Sequence, residues 1–146
     1  MSRMIFVNLA VKDLPRSRAF FDALGFTFNE KFSDDTAACM VVSDTIFVML
    51  LTEAKFQGFT PKSMVDAHSS TEVMNCLSCD SREEVDSMVA KAKAAGGTTF
   101  NEPKDYGFMY YHAFSDPDGH IWEIMWMDPA AAVDGCPEAA AAASSA

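Results

Sequence analysis

A chain of 146 residues and 16.0 kDa has room for one domain of ordinary size with a real hydrophobic core, and none for a multidomain machine. Twenty-one Asp and Glu against eleven Lys and Arg leave a formal charge of −10, which repels polyanions and excludes nucleic acid from the expected partners. A hydrophobic content of 49%, with twelve Phe and ten Met, separates the chain from disordered sequences.

The segment Arg3 to Ala10 is rich in β-branched and aromatic residues and reads as a strand ending at Lys12-Asp13. Asp13 is placed to cap a helix that has Pro15 in its first turn, an apolar stripe of Leu14, Phe20, Phe21 and Leu24, and Gly25 as its left-handed stop. Three extended stretches follow, at about Phe26–Phe32, Thr36–Val42 and Thr45–Leu51, separated by Ser33-Asp34-Asp35 and Ser43-Asp44. Thr52 to Thr71 carries Gly58, Pro61 and no clean period, so it reads as a long connection with a helical turn expected around Ser63–Ala67.

The order then begins again. Glu72–Ser78 reads as a strand, and Ser81 with Glu84 makes a capping box. Val85, Met88, Val89 and Ala92 give the next helix its apolar side, and Gly96-Gly97 ends it. Extended stretches are expected at Thr98–Asn101, Met109–Ser115 and His120–Met127, the last two joined by the turn Asp116-Pro117-Asp118-Gly119. The halves align by spacing: Asn8 stands five residues before Asp13, Asn75 five before Asp80, and Gly25 matches Gly96.

The expected class is α+β, two βαβββ modules forming a curled mixed sheet, in one domain over residues 1–128. The first module spans about 3–52, a connection 53–71, and the second module about 72–128. One helix covers one face of each half-sheet, so the other face is expected to curl round a ligand or a partner. Residues 129–146 read as an Ala-rich tail, in which Glu138–Ala143 is too short to hold a helix alone.

The longest strongly apolar run, Ile46 to Leu51, is far too short for a membrane span, and the N-terminus leads directly into a strand, so a cytoplasmic protein without membrane contact is expected. Four cysteines, Cys39, Cys76, Cys79 and Cys136, are too few for a disulfide scaffold and fit reduced thiols; the single Cys76/Cys79 pair on a strand is a weak zinc motif.

Three ordered stretches, FVNLAVKDL at Phe6–Leu14, SRAFFDALGF at Ser17–Phe26 and SDPDGHIWEI at Ser115–Ile124, lie in this duplicated frame over about residues 3 to 128. Together they make the chain resemble the vicinal oxygen chelate superfamily of glyoxalase I, extradiol dioxygenases, methylmalonyl-CoA epimerase and the fosfomycin- and bleomycin-resistance proteins. The resemblance implies that fold, a small-molecule ligand and a homodimer. It does not fix an activity, because one scaffold carries lyases, isomerases, oxygenases and plain binders.

Metal enzymes of that superfamily take ligands from the first and last strand of each module, commonly His or Gln first and Glu last. The matching positions here are Asn8, Asn75, Met49 and Glu123, and only Glu123 keeps a ligand type. The resemblance therefore implies no tightly held divalent ion and no other cofactor. A rebuilt metal site would join Glu123 to His112, whereas His120 reads as a turn residue and His68 as a loop residue.

Strand alternation places Ile121 and Met125 beside Glu123, with Phe47, Met49, Leu51, Phe6 and Asn8 on the matching face of the first module. Tyr110 and His112 share one side of their strand, offered as further ligand contacts, and Tyr111 takes the other. Most aromatic positions, including Trp122 and Trp126, read as core beneath the second helix.

Two functions follow. One is a metal-independent lyase or isomerase for a small carbonyl compound, with Glu123 as proton shuttle and Asn8 and Asn75 orienting the oxygen. The other is a non-catalytic, resistance-type binder of an apolar or cationic molecule; a metal-dependent lactoylglutathione lyase or dioxygenase ranks below both. A purely structural Glu123, hydrogen-bonded to Asn8, Asn75 or a tyrosine, stands beside them.

Overall fold

The computed structural model describes residues 2–134, with side chains to residue 131. The chain forms two compact units, one of Met1–Glu72 with Asp116–His120, the other of Val73–Ser115 with the chain from Ile121 onward.

In the first unit β1 (Ile5–Val11) leads through α1 (Leu14–Ala23) to β2 (Thr27–Asn29), β3 (Ala37–Val41) and β4 (Ile46–Thr52), followed by the short α2 (Glu53–Gln57). The sheet order is β1-β4-β3-β2, with β1 parallel to β4 and the other pairs antiparallel. Asp13 caps α1 by accepting the Arg16 amide at 3.1 Å, and Pro15 stands where a helix needs no amide donor. Leu14, Phe20 and Phe21 of α1 are buried against a sheet whose Ala38, Met40, Val48 and Leu50 are also buried. Each large apolar side chain so placed contributes about 1.5–3 kcal/mol.

The second unit repeats the order with β5 (Met74–Ser78), α3 (Arg82–Ala94), β6 (Lys104–Asp105), β7 (Met109–Ser115) and β8 (Ile121–Met127), then α4 (Pro129–Asp134). Its sheet order is β5-β8-β7-β6, and β5 is parallel to β8. Ser81 Oγ accepts the Glu84 amide and Glu84 Oε2 accepts the Asp80 amide, so α3 starts on the expected capping box. Val85, Val89 and Ala92 are buried in this unit together with Phe114, Trp122 and Ile124. The two βαβββ modules and the α+β class are as the sequence predicts.

Several elements differ from expectation. The stretch expected at Phe26–Phe32 is extended only at Thr27–Asn29 and turns into a 3-10 helix at Glu30–Phe32, and the expected tail begins as the helix Pro129–Asp134. The helix in the connection is Glu53–Gln57, capped by Thr52 Oγ1, and Ser63–Ala67 is not helical. Thr98–Asn101 contributes one isolated bridge, Thr98 to Ser115, and the fourth strand of the second sheet lies instead at Lys104–Asp105. Pro103 has no amide to give a ladder, and the Asn101 carbonyl is taken by the His112 ring, so pairing resumes only past the proline. Of the expected Ala-rich tail, residues 135–146, including Glu138–Ala143 and Cys136, lie outside the described residues.

Candidate functional site

In the first unit the face of the sheet carrying Phe6, Asn8 and Ala10 of β1 is fixed by register. Phe6 pairs with Phe47, Asn8 with Met49 and Ala10 with Leu51, and Cys39 of β3 pairs with Met49 from the other side. Phe6 and Phe47 stack at 4.9 Å between ring centroids, inclined by 12°. Phe6 and Asn8 are exposed, and Phe47 and Met49 half-buried. Leu51 is buried, so it packs the sheet and does not reach a solute, contrary to the sequence expectation.

In the second unit Glu123 pairs with Cys76 on β5 and with Ala113 on β7. Its face therefore carries Met74, Cys76 and Ser78 of β5, Ile121 and Met125 of β8, and Tyr111 and Ala113 of β7. Glu123 is half-buried, and among the described residues no hydrogen bond or ion pair engages its carboxylate. The alternative of a Glu123 tied to Asn8, Asn75 or a tyrosine has no such contact behind it. The Cys76 thiol is pushed up to about 11, by burial first and by the neighbouring Glu123 carboxylate second, so it is a protonated thiol at neutral pH.

Three expected neighbours of Glu123 are elsewhere. Asn75 pairs with Trp122 and Leu77 with Ile124, which puts Asn75 on the opposite face of the sheet. Tyr110 donates its hydroxyl to Asp86 of α3 at 2.6 Å, and the Arg82 guanidinium lies over the rings of Tyr110 and Trp126. His112 bonds the Asn101 carbonyl at 2.8 Å and pairs with Ile124, so it is on the helix side. Trp122 and Trp126 belong to that side, as expected. Among the side chains that share Glu123's face and were not singled out as site residues, Cys76 and Tyr111 carry ionisable groups. The Tyr111 hydroxyl is buried with no hydrogen-bond partner among the described residues.

A signal for Cys76 was available. The N-cap of α3 is Ser81, not Asp80, and five residues before Ser81 stands Cys76, as Asn8 stands five before the N-cap Asp13. Counting from Asp80 moved the match by one residue, which in a strand reverses the face.

The positions from which the superfamily draws a divalent ion thus hold Asn8 and Met49 in one unit and Cys76 and Glu123 in the other. A neutral amide, a thioether, one thiol and one carboxylate do not reproduce the imidazole and carboxylate set by which the superfamily holds Zn²⁺, Fe²⁺, Mn²⁺ or Ni²⁺. The replacement pairing of Glu123 with His112 fails on geometry, because the two occupy opposite faces. Among the described residues no group of three or more His, Cys, Asp or Glu is arranged to hold a metal ion.

Two βαβββ halves, each a four-stranded mixed sheet with a helix on one side, define a protein of the glyoxalase/bleomycin-resistance fold. The chain has the fold of the vicinal oxygen chelate superfamily. The family model of the bleomycin resistance protein-like N-terminal domain matches residues 3–43. The hypothetical protein SA1046 from S. aureus is similar at 32% identity and a TM-score of 0.74, over 86% of this chain and 94% of that one. A glyoxalase/bleomycin resistance protein/dioxygenase family enzyme from Burkholderia phytofirmans PsJN is similar at 19% identity and a TM-score of 0.71, covering 86% and 99%. A bleomycin resistance determinant encoded on the transposon Tn5 is similar at 19% identity and a TM-score of 0.61, covering 87% and 99%. The last two share the fold alone. No curated protein matches the sequence.

Proposed function

We propose that the protein is a metal-independent binder of a small, largely apolar organic molecule that bears a cationic or hydrogen-donating group. The observation that carries this reading is the unpaired, half-buried Glu123 on a face of sulfur and hydrocarbon, beside a thiol that is itself uncharged. A carboxylate in such surroundings gains most from a ligand that supplies the missing positive charge, and the net charge of −10 favours the approach of a cation. Exposed Phe6 and Asn8, with Phe47 and Met49, offer a second apolar face of the kind such a ligand contacts. No cofactor is required.

The proton-transfer reading retains its base in Glu123 but not its oxygen-orienting pair, since Asn75 lies on the helix side of its sheet. Binding is therefore favoured over catalysis. The test uses benzyltrimethylammonium and its neutral isostere, neopentylbenzene, followed by NMR of the intact chain. The cation is expected to shift amides of β5, β7 and β8 saturably, to weaken with added salt, and to bind about tenfold more weakly to Glu123→Gln. Equal binding of the neutral isostere, or no loss in Glu123→Gln, refutes the assignment.

A further inference from the structure

The first unit contains a cleft of about 570 Å³ whose lining does not include Glu123. It is bounded by the end of β1, the first turn of α1, the start of α2, residues 64–68 and the turn at 117–120. Its volume falls within the range of about 300–1,000 Å³ typical of small-molecule sites.

The walls carry both signs of charge: Lys12 and Arg16 against Glu53, Asp66 and Asp118. Asp118 is already committed. Its Oδ1 accepts the Lys12 amide at 2.8 Å, its Oδ2 accepts the Ser17 hydroxyl at 3.0 Å, and Arg16 stands 3.6 Å away. The others are not. Among the described residues no ion pair engages Lys12, Glu53 or Asp66, although these opposite charges line one cavity. Asp66 spends one oxygen on the His68 amide at 3.0 Å, and His120 gives its Nε2 to the Ala10 carbonyl at 2.6 Å. Met64, Val65 and Pro117 supply apolar lining.

The walls are held in place. An added Cβ at Gly119 would come within 2.8 Å of the Ala67 backbone, so the turn and the 64–68 segment are in close contact. Opposite charges kept apart across a preformed cavity are complementary to a ligand that carries both charges itself.

We infer that this cleft binds a small zwitterion, its anionic group toward Lys12 and Arg16, its ammonium toward Glu53 and Asp66, and a short aliphatic side group on Met64, Val65 and Pro117. L-Leucine is a suitable probe, with 4-methylpentanoate and isoamylamine as versions lacking one charge each. In NMR titrations of the full chain, L-leucine is expected to shift amides at 12, 53, 64–68 and 117–120 saturably and to bind about tenfold more tightly than either control. Lys12→Gln and Glu53→Gln, both at exposed side chains, should each weaken it about fivefold or more while leaving the rest of the spectrum in place. Absence of saturable shifts, equal binding by a singly charged control, or unaltered binding in both variants overturns the inference.

Discussion

Cys76 shows how loss of hydration, with a neighbouring carboxylate second, changes the chemistry of a thiol. With its thiol pushed up to about 11, the thiolate fraction at pH 8 is about one part in a thousand, against about a quarter for an ordinary thiol. Alkylation of Cys76 by iodoacetamide, read by mass spectrometry, should therefore be slow at pH 8 and rise only above about pH 10. Because Glu123 adds to the effect of burial, Glu123→Gln should move that profile to lower pH. A profile unmoved by the substitution would mean that burial acts alone. Strand parity read from the sequence correctly joined Phe6, Asn8, Phe47 and Met49 on one face and Ile121, Glu123 and Met125 on another. It failed for Asn75, Tyr110 and His112, where the face depended on inter-strand register and on which polar residue capped the following helix.

At the level of elements, the turn at 116–119 anchors the start of α1. Asp118 is the acceptor for a backbone amide and for the buried Ser17 hydroxyl, so Asp118→Ala leaves both donors without their partner. A loss of about 2–4 kcal/mol in urea unfolding is expected, and one under about 1 kcal/mol would show that the anchor is dispensable. Glycines supply a second comparison. Gly25 and Gly119 both have positive φ, 104° and 90°, but an added Cβ meets nothing within 4 Å at Gly25 and backbone at 2.8 Å at Gly119. Gly25→Ala should cost about 1–2 kcal/mol of conformational strain, and Gly119→Ala should cost clearly more. Helix starts and stops were legible because caps are local chemistry. The two-residue β6 was not, because its pairing depends on where Pro103 interrupts the ladder and on a histidine far along the chain.

For the whole molecule, the charge of −10 and the exposed apolar side chains on both sheets, Ile5, Phe6, Ile46 and Met74 among them, bear on association. Surfaces of this kind are commonly covered by a second copy, and a homodimer is the expected assembly. Light scattering after size exclusion at micromolar concentration should give twice the mass of 16.0 kDa, and a strictly monomeric peak argues against it. No helix among the described residues is long and apolar enough to cross a membrane.

The first unit draws its Asp118 from a stretch of sequence 101 residues beyond the Ser17 that it holds. A gene cut at its midpoint would leave the leading portion with Lys12 and Ser17 facing an empty place. Residues 1–72 expressed alone lack the Asp116–His120 turn that completes the first unit, and should give an aggregation-prone fragment.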